Sequence, residues 1–167
     1  MKWSDIGDGA PKAKSGFNYL EIAKIRYERN GEPYKSKIKT DKKGNTSGGD
    51  PQIMVVFKDR DGGECIGWYT ISKIALFGLQ NLISACGIDT KSLDEKGYGP
   101  LEFYRPEVAD DVLIGRRLWA WVEWEMYEGK ERSKVTPKKP DEVPPAERDR
   151  VTSEVSDTLP VAADIPF

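Results

Sequence analysis

Residues 116–127 alternate almost without fault: Leu118, Ala120, Val122, Trp124 and Met126 fall on one side, and Trp119, Trp121, Glu123, Glu125 and Tyr127 on the other. A period of two belongs to an extended strand, whose successive side chains point to opposite faces of the pleat. This is the clearest strand in the chain, and it commits the fold to a mainly β architecture.

Residues 16–28 carry Phe17, Tyr19, Leu20, Ile22, Ile25 and Tyr27, and their alternation slips by one place between Ile22 and Ile25. A long strand with a bulge accounts for the slip. Residues 52–58 set Ile53, Val55 and Phe57 against Met54 and Val56. The turn Asp59-Arg60-Asp61-Gly62-Gly63 then leads into 65–71, which predicts a hairpin. From Ser72 the period becomes helical, with Ile74, Phe77, Leu82, Ala85 and Cys86 at matching spacing. Ser72 is placed to cap the first turn and Gly87 to stop the helix, giving about four turns. Residues 88–114, with Gly97, Gly99, Pro100 and Pro106, read as irregular, although Leu101, Phe103 and Tyr104 should pack. After the turn Glu128-Gly129-Lys130, residues 132–136 form a last short strand.

Three strands, a helix and two strands make the element order of an OB-fold, a five-stranded barrel with one helix between its third and fourth strands. Such barrels bind nucleic acid with the loops joining strands one to two and four to five. Here these loops are residues 29–50 and 127–131, and the first holds Lys35, Lys37, Lys39, Lys42 and Lys43. Binding a single strand requires cations for phosphates and aromatic faces for unpaired bases, each stacked base contributing about 1–3 kcal/mol. The loop lysines with Arg116 and Arg117 supply the first ingredient. Tyr34, Trp68, Tyr69, Trp119 and Trp121 are candidates for the second. Plainer roles compete: Trp124 shares the face of Leu118 and Val122 and belongs to the core, Trp119 and Trp121 could pack under the helix or an extension, and a run of lysines is commonly a solvated loop.

Composition narrows the chemistry. The absence of histidine excludes Ser-His-Asp and Cys-His nucleophiles and histidine-ligated zinc. Cys65 and Cys86 form no CxxC pair, so neither a zinc site nor a disulfide framework is expected and two buried thiols are. No apolar run reaches the roughly 18 residues of a membrane span, and residues 1–5 lack a signal peptide's apolar stretch, which together predict a cytoplasmic protein. A metal-dependent nuclease remains an alternative through the carboxylate pairs Asp59 with Asp61, Asp110 with Asp111, and Glu123 with Glu125. A protein-binding adaptor without affinity for DNA is a third reading. The expectation is a non-enzymatic binder that needs no cofactor and no metal.

The 167 residues suit one core with polar extensions. Residues 11–140 hold 23 Lys+Arg against 19 Asp+Glu, whereas 141–167 hold 2 against 7, so a basic body carries an acidic tail. Pro137, Pro140, Pro144 and Pro145 mark the change. The division expected is a flexible arm over 1–14, the barrel over 15–139, a disordered linker over 140–163 and a tip over 164–167.

That tip is Asp164-Ile165-Pro166-Phe167. With it, the chain resembles the single-stranded DNA-binding proteins of the OB-fold kind encoded by bacteria and many phages. In the bacterial family the chain ends in the same Asp-Ile-Pro-Phe after a disordered linker, and replication and repair proteins hold the final Phe in an apolar pocket while basic residues meet the carboxylates. The resemblance implies that Phe167 anchors a replication or recombination protein, with Ile165 and Pro166 in support and Asp164 as the matching acid. Further aspartates usually precede the tip, and this chain has Val161-Ala162-Ala163 there instead. Monomer and homo-oligomer, DNA and RNA, all remain open.

Overall fold

A computed structural model describes residues 11–156, and their side chains through residue 151. Five strands form one antiparallel sheet: β1 (Gly16–Arg26), β2 (Gln52–Lys58), β3 (Glu64–Thr70), β4 (Arg117–Tyr127) and β5 (Lys130–Lys138), in the order β3-β2-β1-β4-β5. The two edges of this sheet meet. Ser133 closes them with its side chain, its Oγ accepting from the Ile66 amide at 2.8 Å and donating to the Ile66 carbonyl at 3.0 Å. A Greek-key sheet of this order, closed between its third and fifth strands, is an OB-fold.

The expected bulge falls where the alternation slips. Ile22 opposes Phe57 and Lys24 opposes Val56, so Ala23 is the extra residue. The slip lets Leu20, Ile22 and Ile25 all face the interior, where they meet Ile53, Val55, Phe57, Leu118 and Val122.

Helix α1 (Leu76–Ala85) follows β3, but it starts one turn later than its sequence suggests. Ser72 does not cap it. The Ser72 carbonyl instead accepts from the Ala75 amide in a separate turn, and the Ser72 hydroxyl is buried without a hydrogen-bond partner among the described residues. The helix buries Leu79, Leu82, Ile83 and Ala85 and leaves Phe77, and Ile74 before its start, outside. Gly87 ends the helix as expected, at φ +68, with its amide on Ser84 and that of Ile88 on Ile83.

Residues 88–114 are more regular than expected. They contain α2 (Thr90–Glu95), a 3-10 turn (Pro100–Glu102) and α3 (Pro106–Leu113). Asp89 caps α2 through the Lys91 amide, and Pro106 opens α3 where a missing N–H costs nothing. Val108, Ala109, Val112 and Leu113 seal α3 onto the core, and Tyr27 of the β1 exit donates to Asp110 at 2.6 Å. Phe103 packs fully, whereas Leu101 and Tyr104 are exposed.

Both extensions depart from the expected division. At the start, residues 11–14 are pinned: the Glu64 amide donates to the Pro11 carbonyl, Ala13 returns its own amide to the Glu64 carbonyl, and Trp124 Nε1 donates to the Ala13 carbonyl at 2.9 Å. Lys12 pairs with Glu131. At the other end, the stretch expected to be linker forms a 3-10 turn (Pro140–Glu142) and α4 (Pro145–Ser156). Val143 and Val151 bury against Trp119, with Phe17 and Tyr19 alongside, and Arg150 donates to the Phe17 carbonyl at 3.1 Å. Few apolar residues here sufficed because the outer face of β1 and β4 supplied the rest of the contact.

Burial pushes the thiols of Cys65 and Cys86 up to about 12, while in the unfolded chain they ionise near ~8.5. Burial raises the Tyr69 and Tyr27 phenols as well. The folded protein therefore keeps protons that the unfolded chain releases, and stability should hold up to pH ~8.5 and fall as pH rises towards about 12. Urea denaturation across that range checks this. A midpoint that stays level throughout would refute it.

Candidate nucleic-acid interface

The loop joining β1 to β2 is a folded structure. Glu28–Arg29 pairs with Glu32–Pro33 about the left-handed Asn30 and Gly31, and Lys39–Thr40 pairs with Thr46–Ser47. Backbone bonds from Tyr34 to Tyr27, Gln52 to Tyr34, Ser36 to Asp50 and Gly49 to Ser36 tie the first ribbon to the barrel. Asp41 builds the tip of the second by accepting from the Lys43 and Asn45 amides, and the Asn45 amide foremost holds its carboxyl below the ordinary range. At Gly48, φ is +100 and a Cβ would lie 2.0 Å from the Lys37 carbonyl oxygen, so no other residue fits there without moving that backbone.

Lys35, Lys37, Lys39, Lys42 and Lys43 are all exposed on this framework. Tyr34 meets Trp68 edge to face, with centroids 4.9 Å apart. Trp68 projects from the outer face of β3 and is 49% exposed. Lys37 reaches the β4–β5 hairpin, donating to the Tyr127 hydroxyl at 3.0 Å, while the Arg132 guanidinium lies 4.0 Å from the same ring. Tyr127 thus stands between two cations, and Glu125 holds Arg132 in place at 2.9 Å. The two loops join into one surface of aromatic faces and positive charge.

The remaining predicted residues lie elsewhere. Tyr69 is a correction: it points inward with Cys65, is 5% exposed, and belongs to the core, because adjacent strand residues take opposite faces. Trp119 is a second, being 1% exposed beneath Val143 and Val151 with no face open to a base. Trp121 is half-buried, edge-on to Phe17 at 4.8 Å, and donates to Glu123 at 2.8 Å. It lines a groove of about 570 Å³ between β1 and α4, together with Tyr19, Lys58, Arg60 and Arg117. Arg117 pairs there with Glu21 at 3.5 Å, and Arg116 donates to the Val112 carbonyl at the end of α3. Arg117 and Trp121 are therefore separate from the Tyr34–Trp68 surface. The tip, Asp164 to Phe167, lies outside the described residues. Tyr127, the first residue of the predicted second loop, and Arg132, the residue just after it, join the surface without having been candidates, although their position at that loop was a usable signal.

In each carboxylate pair at least one member takes part in a structural hydrogen bond. Asp59 accepts from the Asp61 and Gly63 amides, Asp110 from Tyr27, Glu123 from Trp121 and Glu125 from Arg132. Among the described residues, no group of three or more His, Cys, Asp or Glu comes together to hold a metal ion, and no helix is long and apolar enough to cross a membrane.

No family model matches the sequence, and no curated protein does. Among solved structures, a chain described as yeast RPA bound to ssDNA aligns over 95% of this chain and 91% of its own, with 9% identity and a TM-score of 0.35. So loose a likeness carries no weight, and the OB-fold rests on the strand order and closure.

Proposed function

We propose that this OB-fold protein binds single-stranded DNA, coats and protects exposed strands during replication, recombination or repair, and recruits partner proteins through Asp164 to Phe167. The observation that carries the reading is the joined surface, in which Tyr34 and Trp68 offer aromatic faces beside five exposed loop lysines and the Lys37–Tyr127–Arg132 cluster. Aromatic faces stack any base and cations track any phosphate backbone, so binding is tolerant of sequence. A duplex hides the base faces on which this surface depends.

The test is a titration of labelled oligothymidine across salt, with a duplex control, for the whole chain and for a variant lacking residues 164–167. Single-stranded DNA should be preferred, log affinity should fall with log salt by about 0.7 per phosphate contact, and the truncated chain should bind DNA as well as the whole one. Equal binding to duplex, or affinity indifferent to salt, would rule the reading out. Loss of DNA binding on truncation would overturn the division of labour between barrel and tip.

A further inference from the structure

We propose that the turn between β3 and α1, together with the first turn of α1, extends the single-strand surface, with the Phe77 ring as a further stacking platform, Ile74 as its apolar flank and Lys73 as a phosphate contact. This rests on the single-stranded DNA reading above. Ile74 is 88% and Phe77 74% exposed, and α1 completes its core face with Leu79, Leu82 and Ile83 without either of them. Lys73, also exposed, puts a cation beside the pair.

The backbone makes this turn continuous with the binding loop. The Ile71 amide donates to the Pro51 carbonyl at 2.8 Å, Pro51 bridges to Lys35, and the Gln52 amide donates to the Tyr34 carbonyl at 3.0 Å. On the neighbouring strands Gln52 opposes Thr70 and bonds its hydroxyl at 3.0 Å, two residues past Trp68. The Tyr34–Trp68 pair and the segment from Lys73 to Phe77 therefore share one end of the barrel. An unpaired base beyond the pair would meet an exposed phenyl ring there, and its phosphate would meet an ammonium group.

Oligothymidines graded in length across about 4 to 16 nucleotides, the span of single OB-folds, distinguish the inference from the reading beneath it. Phe77→Ala in the whole chain should weaken binding of the longer oligomers about 5- to 100-fold and leave the shortest unaffected, while Phe77→Tyr restores it. The unfolding midpoint of both variants should match the parent, since the ring packs on nothing in the core. If the parent binds and Phe77→Ala binds equally at every length, the inference falls alone. It falls equally if sedimentation shows that Phe77→Ala only dissolves a self-association without changing affinity. A parent chain that binds no oligomer overturns the single-stranded DNA reading as well.

Discussion

Replacing Trp68 with alanine should lower the affinity for oligothymidine about 5- to 100-fold and lower the unfolding midpoint less than the loss of a core tryptophan would. Half of the residue is already in water, so truncation removes only about half the burial that a core tryptophan would lose. What it removes is the broad outward face on β3, together with the ring against which Tyr34 stands edge-on. Tyr34→Ala should cost less alone, and the double variant should cost less than the sum, because each ring helps hold the other. Fluorescence anisotropy with the four proteins, beside urea denaturation of each, checks both halves. An unchanged affinity for Trp68→Ala would dismiss this surface as the binding site, whereas a collapse in stability would mean that Trp68 is a core residue in disguise.

Trp119→Ala should behave in the opposite way. This side chain is almost wholly buried against Val143 and Val151, with the Tyr19 ring 5.2 Å away, and a buried Trp cut to alanine typically costs about 3–5 kcal/mol. The loss should appear in two places. Urea denaturation should report a less stable fold, and limited proteolysis should cut readily within 140–156, because Val151, the buried apolar side chain of α4 among the described residues, would lose its main contact. DNA affinity of the molecules that remain folded should stay near that of the parent. A variant that keeps its stability but loses DNA binding would mean that α4 lifts off and that Trp119 is a stacking face after all.

The strands were legible because alternation is a local property: β2 and β3 lie where it placed them, and the bulge follows from one skipped step between Ile22 and Ile25. The stop at Gly87 was equally local, since only that backbone conformation ends the helix there. The start of α1 was not, because a turn from Ser72 to Ala75 competes with the first helical turn, and nothing in the spacing of Ile74 and Phe77 reveals which wins. Helix α3 was hidden by its brevity. Its eight residues repeat the apolar pattern too few times to stand out from an irregular stretch rich in Gly and Pro. The packing of 140–156 was hidden for another reason: Val143 and Val151 are far too few to bury themselves on a composition argument, and most of the apolar surface they meet belongs to β1 and β4.

Periodicity therefore establishes which residues share a face, and here it put Trp119 with Trp121, whereas Trp68 and its neighbour Tyr69, both stacking candidates by residue type, fall on opposite faces of β3. It does not say what covers each face. Trp119 is sealed and Trp121 half open because α4 lies over one end of that face, and Trp68 is outside and Tyr69 inside because the sheet closes on one side only. The lysines were visible in the chain, but their joining to Tyr127 and Arg132 depends on a loop and a hairpin about 90 residues apart being brought together by the barrel. Local backbone preferences act over a few residues and leave their mark in the sequence. Coverage and convergence depend on distant surfaces meeting, and those appear only when the chain is folded.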